Sequence, residues 1–451
     1  MNISKLHLSK VSIIGAERSG IAVAKLLKSQ GANVFISDSS TVEKLESRIL
    51  NLKSEGIEFE AGKHSERVYE CELMVISPGV PSNAPVVLEA QKRSIKVVSE
   101  LEVGSWFCRA PIAAITGSNG KTTTTTLTGR ILSDAAKKHV VAGNIGTAFS
   151  SVVLGLTDTD VAVLEVSSFQ LDHIETFRPK ISVLLNITPD HLDRYNHSME
   201  MYAASKARVF ENQSAEDSLI YNADDECTNK VVHQVKCKKI QFSIKQKVSE
   251  GAYVEAGQLV TSLGGFITPI INIDQIFIKG VHNLYNSMAA ALTGQLLGVD
   301  SESIHSTLKT FEGVEHRLEF VREFNNVRYY NDSKATNVDS VWYALQAFKE
   351  PIVLLLGGRD KGNDYSRLTE LVRKHVKAIV AIGESADKVE QAFRGITAVS
   401  KAVSIDEAVS TARFLAQPGD VVLLSPACAS FDWFKNYEQR GQVFKELVKN
   451  L

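Results

Sequence analysis

Short apolar runs, each closed by a glycine or polar turn, recur along the chain, and longer stretches with helical spacing separate them. The first run, Val11-Ser12-Ile13-Ile14, enters a turn at Gly15, and a helical stretch follows from Gly20. Asn33-Val34-Phe35-Ile36-Ser37 ends at Asp38, and Leu73-Met74-Val75-Ile76-Ser77 ends in Pro78-Gly79-Val80-Pro81. Strands alternating with helices predict a doubly wound parallel sheet. A second region has apolar runs at 113–115, 161–166 and 181–187, the pattern of parallel strands buried on both faces. From 239 to 281 the texture changes to short alternating stretches broken by glycine, at 239–242, 258–261 and 276–281. These predict a small antiparallel sheet appended to the main one. A third α/β pattern carries an extended stretch at 327–330 and strands at 351–358, 378–383 and 421–426.

The length, 451 residues, exceeds what one hydrophobic core organises and suggests about three domains. A formal net charge of −2 gives no bulk drive toward nucleic acid or an anionic membrane, so any phosphate recognition must be local. The five cysteines, Cys71, Cys108, Cys227, Cys237 and Cys428, form no C-x-x-C pair, which argues for a reducing compartment and against a zinc site. No signal-type apolar core and no run long enough to span a bilayer is visible, and a cytoplasmic location is the expectation.

The most informative stretch is Ala113-Ala114-Ile115-Thr116-Gly117-Ser118-Asn119-Gly120-Lys121-Thr122-Thr123. A strand enters a glycine turn, then a lysine and a run of threonines that open a helix. Backbone N–H groups of such a turn surround a polyphosphate, the lysine offsets its charge, and the next hydroxyl is placed for Mg²⁺. The common G-x-x-x-x-G-K-[ST] spacing wants glycine where Ile115 stands, so the turn is a variant. The predicted fold is therefore α/β in three domains. A Rossmann-like domain spans 1–100. A central P-loop mononucleotide-binding domain with the appended antiparallel sheet spans 101–313, and a C-terminal Rossmann-like domain spans 314–451.

In the first domain, Glu17 replaces the middle glycine of a dinucleotide fingerprint, which argues against NAD or FAD. Asp38 either accepts from a hydroxyl-bearing ligand or caps a helix. Glu165 lies inside an apolar run, where an isolated carboxylate is costly, so it binds a metal or forms a structural ion pair. His191 follows the next strand, in a metal or phosphate position. By pattern alone, Lys206 is a solvated helix lysine. Polar turns at 331–337, 357–361 and 425–432 fall at one edge of the third sheet and suggest a lined pocket, with Cys428 as a small packed residue.

Taken in order, Thr116–Thr122, Gly143-Asn144-Ile145-Gly146, Glu165–Leu171, Asp190–Tyr195, His282–Asn286, His316-Arg317 and Asn331–Asn337 resemble the motifs of the Mur ligases, the ATP-dependent amide-forming enzymes of bacterial peptidoglycan synthesis. The resemblance covers essentially the whole chain. The block 425–441 is similar to that of the member that adds D-glutamate to UDP-N-acetylmuramoyl-L-alanine through an acyl phosphate, and the Asp-Asn-Pro-Arg motif of the diaminopimelate-adding member is absent. Other Mur-type or folylpolyglutamate-type ligation, or a nucleotide-dependent switch, are the alternatives. The resemblance implies ATP, two Mg²⁺ ions and a carbamylated Lys206 in a monomer without nucleic-acid or membrane partners. It implies Lys121, Glu165, His191 and Lys206 as catalytic residues, with Thr122, Glu165, His191 and the Lys206 carbamate on metal. ATP would meet Gly117, Ser118, Asn119, Gly120, Lys121, Thr122, Thr123, Asn283, Asn286, Arg317 and Asp332, with His316 close by. The UDP substrate would meet Arg18, Ser19, Asp38, Ser39, Gly79, Asn144, Ser167 and His191. D-Glutamate would meet Thr336, Lys361, Ser430, Phe431 and Tyr437.

Overall fold

The computed structural model describes residues 9–42, 44–45, 52–233, 235–360 and 362–451. The chain divides into two compact units, one of Met1–Asn272 with Tyr285–Thr307 and one of Ile273–Leu284 with Leu308–Leu451.

The first unit holds two sheets. Five parallel strands, β1 (Lys10–Ile14), β2 (Asn33–Asp38), β3 (Glu58–Ala61), β4 (Leu73–Ile76) and β5 (Lys96–Ser99), lie in the order β3-β2-β1-β4-β5. The order reverses at β1, so a crevice opens at the carboxyl ends of β1 and β4, where ligands of open α/β sheets bind. Helix Arg18–Ser29 buries Val23, Leu26 and Leu27 against this sheet. Gly20 is required there, because a Cβ would stand 1.9 Å from the Gly15 carbonyl oxygen.

The larger sheet has nine strands, added in chain order as β6 (Ile112–Thr116), β7 (His139–Gly143), β8 (Val161–Glu165), β9 (Ile181–Leu184), β10 (Ser218–Asn222), β11 (Lys238–Ser243), β12 (Gly251–Glu255), β13 (Gln258–Leu263) and β14 (Phe266–Asn272). Their order is β14-β13-β12-β11-β10-β9-β6-β8-β7. The antiparallel strands extend the main sheet, since β11 pairs in parallel with both β10 and β12 and only β12–β13 and β13–β14 run antiparallel. The stretch 276–281, expected as a strand, is not one. It leads into helix Val281–Leu296, and the outer strand is Phe266–Asn272. Six alternating residues fit a strand or a helix entry equally well, and the long apolar stretch after Val281 decides for the helix.

Both sheets of this unit share one continuous core, linked through Leu101 and Val103 of helix Glu100–Phe107. Glu102 of that helix is fully buried and accepts from the amides of Glu175, Thr176 and Phe177, from Trp106 Nε1 and from Thr176 Oγ1. Burial works against ionisation here, but those donors outweigh it and hold the carboxyl below its ordinary range.

The second unit has six strands, β15 (Glu319–Phe324), β16 (Val327–Asn331), β17 (Ile352–Gly357), β18 (Val376–Ile382), β19 (Ala398–Lys401) and β20 (Val421–Leu424), in the order β15-β16-β20-β17-β18-β19. All pairings are parallel except β15–β16. Separate apolar clusters cover its two faces. Among the described residues no helix is long and apolar enough to cross a membrane.

Candidate functional site

The glycine loop follows β6, the strand at which the central sheet reverses order, and helix Lys121–Asp134 starts directly after it. Gly120 adopts φ +86°, and a Cβ would come within 2.3 Å of Asn286 Oδ1, so the loop packs on helix Val281–Leu296 only with glycine there. Asn286 Oδ1 also accepts from Thr124 Oγ1 at 3.2 Å. The segment after β9 pins the other side. Asn119 N donates to Asn186 Oδ1, and Ser118 Oγ exchanges hydrogen bonds with Thr188 O and N and meets Tyr202 Oη at 3.1 Å. Thr122 and Thr123 are buried, and among the described residues Thr123 Oγ1 has no partner.

Lys121 Nζ folds back onto the loop and donates to Gly117 O and Ser118 O, each at 2.9 Å. Lys206 Nζ donates to the same Gly117 oxygen, also at 2.9 Å. This corrects the expectation of a solvated lysine, because Lys206 is 1% exposed on helix Met199–Ala207. Burial, reinforced by the neighbouring Lys121 charge, drives its pKa well below the ordinary lysine range, although Asp190, Asp172 and Glu165 act the other way.

Glu165 ends β8 with its carboxylate buried. Asn144 Nδ2 donates to Oε1 at 2.9 Å, while Oε2 has no partner among the described residues, and no ion pair explains the charge. An orphaned buried carboxylate oxygen beside a phosphate-type loop fits a hard cation. Ser167 caps the short helix Ser168–Leu171 in a reciprocal capping box with Gln170. His191 has φ +51°, lies 3.7 Å from Asp190, and meets the Phe169 ring edge-on with centroids 6.2 Å apart. Arg194 covers the same ring at 4.7 Å and donates to Pro78 O, tying this loop to the first sheet.

At the crevice of the first sheet, a cavity of about 470 Å³ brings together Arg18, Ser19, Asp38, Ser39, Gly79 and Asn144, and adds His64. Among the described residues Asp38 caps no helix. Its oxygens accept from Ala16 N at 2.6 Å and Ser40 N at 2.7 Å, and these amides outweigh burial and keep the carboxyl below its ordinary value. Asn144 lines the cavity and also holds Glu165, so the two sites share a residue.

In the second unit the turns after β16, β20 and β17 adjoin. Ser425 Oγ donates to Asp332 Oδ2 at 2.7 Å, and Arg359 N donates to Ala429 O at 2.9 Å. Burial raises the Asp332 carboxyl to about 6 against the opposing pull of Arg317, Ser425 and Leu318. Arg317 Nε is buried without a partner among the described residues, as an anion-binding guanidinium would be. Asn283 Nδ2 donates to Lys279 O. Ser430 is buried, Phe431 exposed, and Thr336 and Tyr437 half-buried; Lys361 lies outside the described residues. His316 Nδ1 meets Asn331 Nδ2 at 2.9 Å. Glu315, His316 and Glu319 could together hold a metal, but Lys445 pairs with both glutamates and already supplies the cation.

Asp332 titrates above the ordinary 3.8, so between 3.8 and about 6 the folded state binds more protons than the unfolded one. Stability of the ligand-free second unit is therefore expected to fall as pH rises through that window, by up to about 3 kcal/mol. Denaturation midpoints should show this slope in the wild type and its loss in Asp332→Asn.

Arg440, Asn186, Tyr202 and His64 were not anticipated from sequence. Only Asn186, a polar residue inside the apolar run 181–187, carried a signal. Residues 10–86 match the MurD N-terminal domain, 115–294 the Mur ligase middle domain, and 316–428 the Mur ligase glutamate ligase domain. A UDP-N-acetylmuramoylalanine–D-glutamate ligase from Chloroherpeton thalassium is 49% identical, with all of both chains covered. One from Salinibacter ruber is 45% identical, again over the whole of both. Among solved structures, a pseudomurein peptide ligase type C from Methanothermus fervidus shares the fold, with a TM-score of 0.61, 20% identity, and coverage of 98% of this chain and 99% of that one.

Proposed function

We propose, from the premise that this chain belongs to the Mur ligase family, that it is an ATP-dependent ligase joining D-glutamate to UDP-N-acetylmuramoyl-L-alanine in peptidoglycan precursor synthesis. The observation that carries this reading is Asn144, which lines the cavity of the first sheet and holds the carboxylate next to the phosphate-type loop. A nucleotide-linked acid bound in that cavity would have its far end near the loop.

A carboxylate resists attack by an amine, so ATP phosphorylates it first. The amine nitrogen then attacks the carbonyl carbon of the acyl phosphate, the C–N bond forms, the nitrogen gives up one proton to solvent, and phosphate leaves with the C–O bond electrons. The first obstacle is repulsion between two anions. Lys121 offers a cation at the loop, and the N-terminus of helix Lys121–Asp134 adds partial positive charge. Magnesium, when bound, supplies further positive charge against the triphosphate. Thr122, Glu165, His191 and a carbamylated Lys206 would hold two such ions. Gly117 to Thr123 would surround the phosphates, and Asn286 is suited to the adenine.

In the second unit, Asn283 is suited to the adenine, Asp332 to a ribose and Arg317 to a phosphate. Thr336, Lys361, Ser430, Phe431 and Tyr437 would hold D-glutamate. Arg18, Ser19, Asp38, Ser39 and Gly79 would take the uridine diphosphate, with Asn144, Ser167 and His191 on the muramoyl-alanine end. Residues 1–100, 101–313 and 314–451 would then serve the UDP substrate, ATP and the amino acid in turn.

Release of ADP, measured with the UDP substrate and a panel of amino acids, tests the reading. Turnover is expected to require UDP-N-acetylmuramoyl-L-alanine, D-glutamate and ATP together. Turnover with L-glutamate and a folate in their place would refute it.

A further inference from the structure

His64 follows β3 and lines the cavity of the first sheet, and its ring is held in one tautomer. Ser37 Oγ lies 2.7 Å from Glu60 Oε1, 3.3 Å from Lys63 O and 2.6 Å from His64 Nδ1. A carbonyl oxygen only accepts, and so does the ionised Glu60, which its Ser65 and Ser37 donors hold below the ordinary range despite burial. The hydroxyl has one hydrogen, and one of those two oxygens takes it. His64 Nδ1 must therefore be the donor to Ser37 Oγ. Burial holds the imidazole neutral at pH 7, against the pull of Glu60 and Asp38. Its remaining ring nitrogen, Nε2, then carries a lone pair and has no partner among the described residues.

The sheet order gives this acceptor a position along a nucleotide. Diphosphate groups sit at the turn after β1, and a ribose meets the end of β2. His64 is three residues beyond the end of β3, one strand further out than β2, and lines the same cavity, so a base carried beyond that ribose would come within its reach.

We propose that His64 Nε2 accepts a hydrogen bond from the N3–H of uracil, and that the Glu60–Ser37 relay makes this position select uridine over cytidine. Cytosine has a lone pair at N3, and two acceptors repel. The proposal rests on the reading that this cavity takes the uridine diphosphate end of the substrate. His64 contacts the base, while Ser37 and Glu60 act through it as positioning residues.

Calorimetric titration of the full-length protein with UDP, CDP, 3-methyl-UDP and 2′-deoxy-UDP tests it. The wild type is expected to bind UDP about tenfold more tightly than CDP or 3-methyl-UDP, the worth of one hydrogen bond in a half-open site. His64→Leu should lose about tenfold for UDP while binding 3-methyl-UDP as the wild type does, so the ratio collapses. The penalty for 2′-deoxy-UDP should stay the same. An unchanged UDP to 3-methyl-UDP ratio in His64→Leu overturns the proposal. So does a collapse of the 2′-deoxy penalty instead, which would assign His64 to the ribose. Should His64→Leu lose all four ligands through misfolding, Ser37→Ala decides by the same ratio, which should shrink once the tautomer is free. Failure of the wild type to bind any uridine nucleotide would instead refute the substrate reading itself.

Discussion

Lys206→Ala is expected to lower ligation on the order of a thousandfold while leaving the protein folded and able to bind ATP. The reason is electrostatic. Lys121 and Lys206 each stand 2.9 Å from the Gly117 oxygen, so their ammonium groups can be at most 5.8 Å apart. Two like charges at that separation repel by about 3 kcal/mol at an effective dielectric of about 20. Lys121 is part-exposed, whereas Lys206 is fully buried, and burial together with the Lys121 charge lowers its pKa well below the ordinary lysine range and favours the neutral amine. A neutral amine is a nucleophile toward CO₂. At Lys206 such an attack would form an N–C bond, release one N–H proton to solvent and leave a carbamate anion. A carbamate at Lys206 would attract Lys121 where an ammonium would repel it, and would offer oxygen ligands to a hard cation beside Glu165. Acetate or formate added to Lys206→Ala should restore part of the rate, because a free carboxylate can occupy the vacated space. Lys206→Arg, which retains a charge of the wrong sign and fills the space, should not respond. ADP-release rates of the three proteins decide this, and an alanine variant within threefold of the wild type would refute the carbamate.

The same lysine marks where sequence reading stops. Strands such as Ile112–Thr116 and Ile352–Gly357 are legible because parallel strands buried on both faces become unbroken apolar runs. The glycine loop is legible because backbone geometry dictates glycine at Gly120. A helical residue's burial depends on what another element brings against it. Helix Met199–Ala207 buries Tyr202, Ala203, Ser205 and Lys206 on a stripe that includes two polar residues, so its pattern names no inner face. Only the family motifs drew attention to Lys206. Asn186 and Thr188 hold the glycine loop across almost 70 residues of sequence, a separation that no local pattern encodes. His64 stands alone in a short turn, and its meaning comes from Ser37 and Glu60 on neighbouring strands.

Arg440→Met is expected to destabilise the second unit by about 3–5 kcal/mol, the largest stability loss anticipated for a single substitution here. Arg440, on helix Tyr437–Lys449, is 1% exposed and spends all its donors on neutral oxygens. Nε donates to Ser333 Oγ at 2.9 Å and Nη2 to Ser333 O at 2.7 Å. Both terminal nitrogens reach Cys428 O at 3.2 Å, and Nη1 also reaches Ala429 O. Burial lowers its pKa only to about 10, so the group stays charged at neutral pH with no ion pair among the described residues. Its charge is instead spread over carbonyl dipoles of two turns, those after β16 and β20, which carry Thr336 and Ser430. Removing the guanidinium strands these buried carbonyls, at about 1–3 kcal/mol for each one left unpaired. Arg440→Lys should recover only part, since an ammonium cannot fork across both turns. If the turns hold D-glutamate, both variants should raise its KM more than they lower kcat, because the chemistry occurs at the phosphate loop. Chemical denaturation followed at Trp433 and steady-state kinetics with varied D-glutamate measure the two effects. A methionine variant that unfolds within 1 kcal/mol of the wild type and keeps its D-glutamate KM would show that the two turns hold their shape without the guanidinium.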